Sequence, residues 1–325
     1  MTVQGDQLQA DVRCLALPEG REVGSPGHAK AQDYLCSRMH ELGLEGYGGD
    51  GYRWPFEGKE AHCGRHFTNL LGVLPGRYPE RPPLLIAAHY DTCGPFPGAD
   101  DNAAALAIAL ATVAPLRQAS LERSVIYAFF DGEEPPFHLS PSMGSIRYYR
   151  DQRREPIHCA LVMDLCGHDV PIPGLEDLLF ITGAESDPGL AACLRRTHAL
   201  DGMRPVATLN RYIGDMSDHH VFRIHARPYL FFSCGRWPHY HQPTDTPEKL
   251  NYNKMQTITA YLVSLATRIS GYALEGPFEE EDTLTLELEL LDKAVGPFLD
   301  ALGFRPRTRT DMDQMIQALL SQFGL

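Results

Sequence analysis

Four apolar runs constrain the fold of this chain more than any other feature. They are Leu84-Leu-Ile-Ala-Ala, Val125-Ile-Tyr-Ala-Phe-Phe, Ala160-Leu-Val-Met and Tyr229-Leu-Phe-Phe-Ser. None alternates apolar with polar residues, so each suits a strand buried on both faces, as in a parallel sheet. Helical stretches lie between them, notably the Ala-rich 103–116 and segments near 142–151 and 187–200. Strands alternating with helices in this way build an α/β fold, here a three-layer αβα sandwich around a mixed, mostly parallel sheet.

The flanking segments are less uniform. Ser25-Pro26-Gly27 opens a helix, with serine as N-cap and proline in the first turn, and Gly43 stops it. Residues 44–66, rich in Gly, aromatic and charged residues, read as loop, and Asn69 to Leu74 as a short strand ended by Pro75. Met255, Ile258, Tyr261, Leu262, Leu265 and Ile269 recur at helical spacing over 254–272. The run from Phe278 to Leu291 fits strand or helix equally well, and 311–323 reads as a final amphipathic helix. With no repeat and no low-complexity linker, the expected organisation is one catalytic domain over 1–275 and an appendage over 276–325 packed on it.

Charge narrows the partners. Forty-two acids against 29 bases give a formal charge of −13, which argues against nucleic acid or an anionic membrane. The N-terminal segment lacks the basic and apolar regions of a signal peptide, and the near-apolar run Ala103–Leu116 is shorter than the ~20 residues a bilayer requires. Eight scattered cysteines without a CxxC pair read as reduced, half-buried small hydrophobes. A cytoplasmic protein is the expectation.

The polar residues at the strand ends carry the chemistry. The first run leads into His89 and Asp91, the second into Asp131, Glu133 and Glu134, the third into Asp164, and the fourth is followed by His239 and His241. Ligands of open α/β sheets bind at the carboxyl ends of strands. HExxH, the Walker loop, GxGxxG and the GxSxG elbow are all missing. What is left is a dispersed set of carboxylates and imidazoles, a donor set suited to zinc.

In order along the chain, H-Y-D (89–91), G-A-D-D-N-A (98–103), F-D-G-E-E (130–134), M-D-L (163–165) and Y-H-Q-P-T-D-T-P-E-K-L-N (240–251) resemble the five motifs of metallopeptidase family 28. That family holds bacterial leucyl aminopeptidases, glutamate carboxypeptidase II and the animal glutaminyl cyclases. The resemblance implies a zinc exopeptidase-like fold. It makes His89, Asp101 and Asp164 ligands of one zinc, Glu134 and His241 ligands of a second, and Asp101 the bridge. It also implies Glu133 as general base, Asp91 as the carboxylate behind His89, and Tyr240 as donor to a tetrahedral oxyanion.

Plainer readings stand beside these. Asp91 and Asp100 suit turns or caps, and Asp100 suits an exposed loop. Glu133 and Glu134 could be solvated acids, and Asp131 a structural turn residue. His138, His168, His219, His220, His225 and His239 read as surface residues or supports behind the ligands. Ser217-Asp218 serves equally as a helix N-cap or as part of the substrate site. Of three functions, a two-zinc aminopeptidase acting on a peptide or small amide is favoured by the complete ligand set. A one-zinc glutaminyl cyclase-like acyltransferase is suggested by the Pro135–Met143 insert and by Met163-Asp-Leu-Cys-Gly, which are similar to cyclase sequences; Tyr240 stands where cyclases carry tryptophan. A non-catalytic scaffold on the same fold is the third. Loops 135–143, 166–186 and 205–220 are expected to line the pocket.

Overall fold

The computed structural model describes residues 3–49, 51–276, 282–301 and 303–323. The chain begins with α1 (Val3–Leu15) and α2 (Pro26–Glu41), then runs through β1 (Glu45–Gly46), β2 (Arg53–Glu57), β3 (His66–Leu74) and β4 (Leu84–His89). α3 (Ala105–Ala119), β5 (Val125–Phe130), α4 (Gly144–Arg147), β6 (Cys159–Met163) and β7 (Leu178–Thr182) follow. Next come α5 (Pro188–Arg196), β8 (Arg204–Ala207), α6 (Asn210–Ile213), α7 (His220–Ile224) and β9 (Tyr229–Ser233). Three helices end the chain: α8 (Tyr252–Gly271), α9 (Leu284–Ala301) and α10 (Arg309–Phe323).

The nine strands form one sheet in the order β1-β3-β5-β4-β6-β9-β7-β8, with β2 also paired to β3. The four non-alternating runs are its centre: β5, β4, β6 and β9 run parallel, and antiparallel ladders flank them. Both faces of these strands are covered. Leu84, Ile86 and Ala88 join Val125, Tyr127 and Phe129 in a core shared with α1, α2, α3, α5, α8 and α9. Leu85 and Ala87 join Ile126, Ala128 and Phe130 on the opposite face, against α4 and α7. The sheet lies between two helical layers, a three-layer αβα arrangement. Parallel register brings the carboxyl ends of the strands to one edge, with His89 level with Phe130.

Local chemistry explains the elements. Ser25 caps α2 by accepting the His28 N–H, and Gly43 follows its end at φ 65°. A kinked turn at Ala99–Ala104, non-helical at Asp101 and Asn102, leads into α3, whose alanines are strong helix formers. The helical stretch Ala99–Ala119 is long and apolar enough to cross a membrane, but most of it is buried inside this fold. All eight cysteines are free thiols.

Three expectations are corrected. Residues 44–66 hold β1 and β2 rather than loop alone; β2 is an edge strand, where Pro55 is tolerated because no ladder bond from its nitrogen is needed. Segments 166–186 and 205–220 contain β7 and part of β8 respectively, which extend the sheet beyond β9. The ambiguous run is helical from Leu284, with Leu286, Leu290 and Leu291 buried; its first residues, 278–281, lie outside the described residues.

α9 and α10 are tied by an ion pair. Arg309 grips Glu287 through two hydrogen bonds (2.7 and 2.8 Å), and Thr283 Oγ1 donates a third (2.7 Å) to a carboxylate with no solvent exposure. Arg309→Met leaves that buried charge underpaired and is expected to cost about 1–3 kcal/mol, read as a lower urea midpoint at unchanged m-value. Arg309→Met/Glu287→Met should recover most of the loss.

Candidate metal centre

The carboxyl edge of the sheet gathers the polar strand ends. Asp91 is fully buried, and its two carboxylate oxygens accept the backbone N–H groups of Glu133 (3.1 Å) and Glu134 (3.0 Å). The same carboxylate lies 3.5 Å from His89 Nδ1, which also sits 3.2 Å from the Asp91 carbonyl oxygen. One side chain therefore aligns the ends of two strands and the imidazole beside them.

Glu133 and Glu134 are both buried, which removes the solvated-acid reading, and they point to different partners. Glu134 Oε2 is 3.0 Å from His241 Nε2. Glu133 Oε1 is 2.9 Å from His138 Nδ1, while its Oε2 faces His89 Nε2 at 3.8 Å. Asp101 spans the centre: Oδ1 is 3.3 Å from His89 Nε2 and Oδ2 is 3.1 Å from His241 Nε2. Asp164, one residue past β6, brings Oδ1 within 3.5 Å of His89 Nε2. All five sequence-predicted ligands and Glu133 converge. Tyr240 stacks its ring on His241 at a centroid separation of 3.8 Å.

These contacts are close without being satisfied hydrogen bonds. His89 Nε2, His241 Nε2, Glu134 Oε1 and Asp164 Oδ1 are all buried without a hydrogen-bond partner. Unpaired buried polar atoms are costly, and here they face one another. Among the described residues, no lysine or arginine forms an ion pair with these carboxylates. Burial, with the charges of Glu134, Asp164 and Asp218 added, pushes Glu133 well above the usual carboxylate range despite His89. Burial and Asp101 push Glu134 up to about 8. Burial opposes charge on His241, but Asp101 and Glu134 more than offset it and lift the imidazole to about 10. This is a pocket of excess negative charge suited to a cation.

The loop bearing Asp101 is fixed from behind. Asp245 accepts the N–H groups of Asp100 (2.8 Å) and Asp101 (3.1 Å). The Arg21 guanidinium donates to the carbonyls of Tyr90, Pro97, Gly98 and, at 3.3 Å, Asp101. Gly98 adopts φ 56°, and a Cβ there would meet the Asp101 carbonyl oxygen at 2.3 Å, so only glycine fits. His241 reaches the cluster at φ 54°, a conformation uncommon for a non-glycine residue and typical of functional sites.

The exposed-loop reading of Asp100 is wrong. Asp100 is fully buried, accepts the Gly167 N–H (2.6 Å) and pairs with His168 Nδ1 (2.7 Å), because its turn packs against the loop after β6. Asp131 is structural, bound to His28 Nε2 (2.8 Å) and the Thr68 N–H (2.7 Å). Asp218 is no N-cap: α7 starts after His219 without a side-chain cap. Its carboxylate is fully buried without a hydrogen-bond partner, and burial raises it to about 7. Of the six supporting histidines, His138 contacts Glu133, His168 and His219 are buried, and His225 is exposed. Arg21 and Asp245 were missed as site residues. Asp245 lies inside the Y-H-Q-P-T-D motif, a usable signal; Arg21 has none.

Residues 69–266 match the model of peptidase family M28. The chain belongs to that family. It is similar to the uncharacterized protein YfbL of Escherichia coli, at 27% identity over 214 residues that span 57% of this chain and 66%, just under two thirds, of YfbL. The M28 fold recurs in the glutaminyl cyclase of Fimbriiglobus ruber (TM-score 0.63, 22% identity, 83% of this chain and 96% of that one). It recurs equally in a Zn-dependent exopeptidase of Parabacteroides distasonis (TM-score 0.64, 15% identity, 81% and 97%). Family membership implies zinc, and the unpartnered imidazole nitrogens and carboxylate oxygens of this M28 chain are donors that fit it.

Asp91→Asn tests the support behind these donors. The asparagine keeps the shape but has one oxygen acceptor for two N–H groups. Zinc affinity is expected to fall about 10–100-fold in a competitive chelator titration, and the buried amide left unpaired is expected to cost the metal-free protein about 1–3 kcal/mol, read as a lower melting temperature.

Proposed function

We propose that this M28 chain is a two-zinc aminopeptidase that removes the N-terminal residue of a peptide or similar small amide. The observation that carries this reading is the division of Asp101, with one carboxylate oxygen toward His89 and the other toward His241. His89, Asp101 and Asp164 would hold one zinc; Asp101, Glu134 and His241 would hold the second. Bound zinc supplies Lewis acidity, polarising the scissile carbonyl and acidifying the attacking water.

The chain's own groups do the remaining work. Glu133 Oε1 is taken by His138, so Oε2, which faces the cluster, is the oxygen that accepts the proton of the attacking water. Its position beside the cluster suits a group that must take that proton and hand it to the departing amine nitrogen. Burial, with Asp101 and Glu134 close by, raises the Tyr240 phenol far above its usual range, so it stays protonated as a donor to the developing oxyanion.

A glutaminyl cyclase-like reading is favoured by Met163-Asp-Leu-Cys-Gly and by the segment from Pro135 to Met143, both similar to cyclase sequences. The latter segment folds back so that His138 meets Glu133 and Phe137 packs edge-on against Phe67 (4.9 Å).

Zinc-loaded protein offered aminoacyl-anilides in one assay and N-terminal glutaminyl peptides in another is expected to hydrolyse the anilides with two zinc ions per chain. Cyclisation without hydrolysis, at one zinc per chain, overturns the aminopeptidase reading, and absence of zinc favours a scaffold. Glu133→Gln is expected to lower kcat by about 10²–10⁴-fold while leaving zinc content, measured by mass spectrometry, unchanged. Loss of zinc in that variant means that base and ligand have been exchanged.

A further inference from the structure

Cys93 lies two residues beyond Asp91 in the loop that carries His89. Its Sγ, a ring nitrogen of His241 and a carboxylate oxygen of Glu134 all lie within 4.8 Å of one another. The three side chains, with Asp101, line one cavity. The loop on either side of the thiol is pinned: Thr92 Oγ1 accepts the Arg21 N–H (2.7 Å) and donates to the Gly94 carbonyl (2.8 Å). Cys93 itself is a free, half-buried thiol. Independently, Glu134 is almost completely buried with Oε1 lacking a partner, and His241 Nε2 is buried without a hydrogen bond.

Catalytic zinc sites use three protein ligands and keep a fourth position open, whereas four protein ligands close the site. Asp101, Glu134 and His241 already supply three donors to the second metal. We infer that Cys93 is a fourth protein donor to that metal, grouped with Glu134 and His241. This rests on the two-zinc reading above.

On binding, the thiol gives its proton to solvent and a sulfur–metal bond forms; no electron is transferred and no other bond breaks. A sulfur donor added to imidazole and carboxylate makes this position softer than the Asp164 position. The two positions are then inequivalent toward metals, and substrate must displace sulfur to reach the second one.

The full chain, stripped of metal and titrated with Co²⁺, tests this by absorption spectroscopy. Two cobalt ions per chain are expected, with a near-ultraviolet thiolate-to-cobalt charge-transfer band. Cys93→Ser should lose that band while still binding two cobalt ions, and Cys14→Ser and Cys63→Ser, which remove exposed thiols, should retain it. Two bound cobalt ions without the band, or a band that survives Cys93→Ser, overturn the assignment of Cys93 and leave the two-metal centre standing. A chain that binds no cobalt overturns both.

Discussion

A single buried guanidinium underlies the geometry of the centre. Arg21 is 1% exposed, and its side chain donates to the carbonyls of Leu15, Tyr90, Pro97, Gly98 and Asp101. These carbonyls belong to the end of α1, the loop after β4 and the turn before α3, three segments that no ladder joins. Burial lowers the guanidinium to about 10, with the charges of Asp101, Asp245, Asp91 and Glu134 opposing the drop. It therefore remains a cation at neutral pH. Isolated buried charges cost several kcal/mol, and this one is offset by carbonyl dipoles on one side and the acid cluster on the other. Its positive charge and planar fork answer two needs at once: satisfying loop carbonyls and moderating the carboxylates above them.

The acid cluster is tolerated because the fold surrounds it with hydrogen-bond donors that do not move. Asp91 takes two amides, Asp245 takes two, and Asp100 takes one amide and His168, which stacks on Trp237 at 4.7 Å. Asp91 and Asp245 thereby fix the backbone amides of Glu133, Glu134 and Asp101, whose side chains meet in front. The unpaired atoms are left facing His89 and His241, and the strain of the metal-free state becomes preorganisation for a cation.

The centre of the sheet was legible because parallel strands covered on both faces must be apolar throughout, and few other elements require that. The acids and histidines at the strand ends were legible for a related reason: parallel register forces residues that follow such strands onto one edge, while the choice of five donors among them, Asp101 included, came from the resemblance of the motifs to family 28. Elements stabilised by distant pairing were not legible. β8 is four residues long and contains Pro205, and β7 joins the sheet antiparallel to β9 across fifty residues of chain, so neither is dictated by its own period. α1 buries Leu8, Val12 and Leu15 in a narrow stripe among polar residues, too sparse a pattern to stand out. Asp100 and Asp101, adjacent and chemically identical, differ only through the kink at Asp101, which aims one at His168 and the other at both histidines of the centre. Cys93 reads as a small hydrophobe until the loop brings it back to Glu134.

The same turn logic separates Glu133 from Glu134. Their side chains part, Glu133 to His138 and Glu134 to His241. Asp91 fixes which is which by holding both of their amides, and the chain then continues through Pro135 and Pro136 to bring His138 back onto Glu133 alone. Glu134, without such a partner, is left to His241. A base engaged through one oxygen and a ligand with one oxygen unpartnered are thus consequences of a single carboxylate at the end of the neighbouring strand. The two-residue spacing from His89 to Asp91 is set by that requirement as much as by the imidazole it supports.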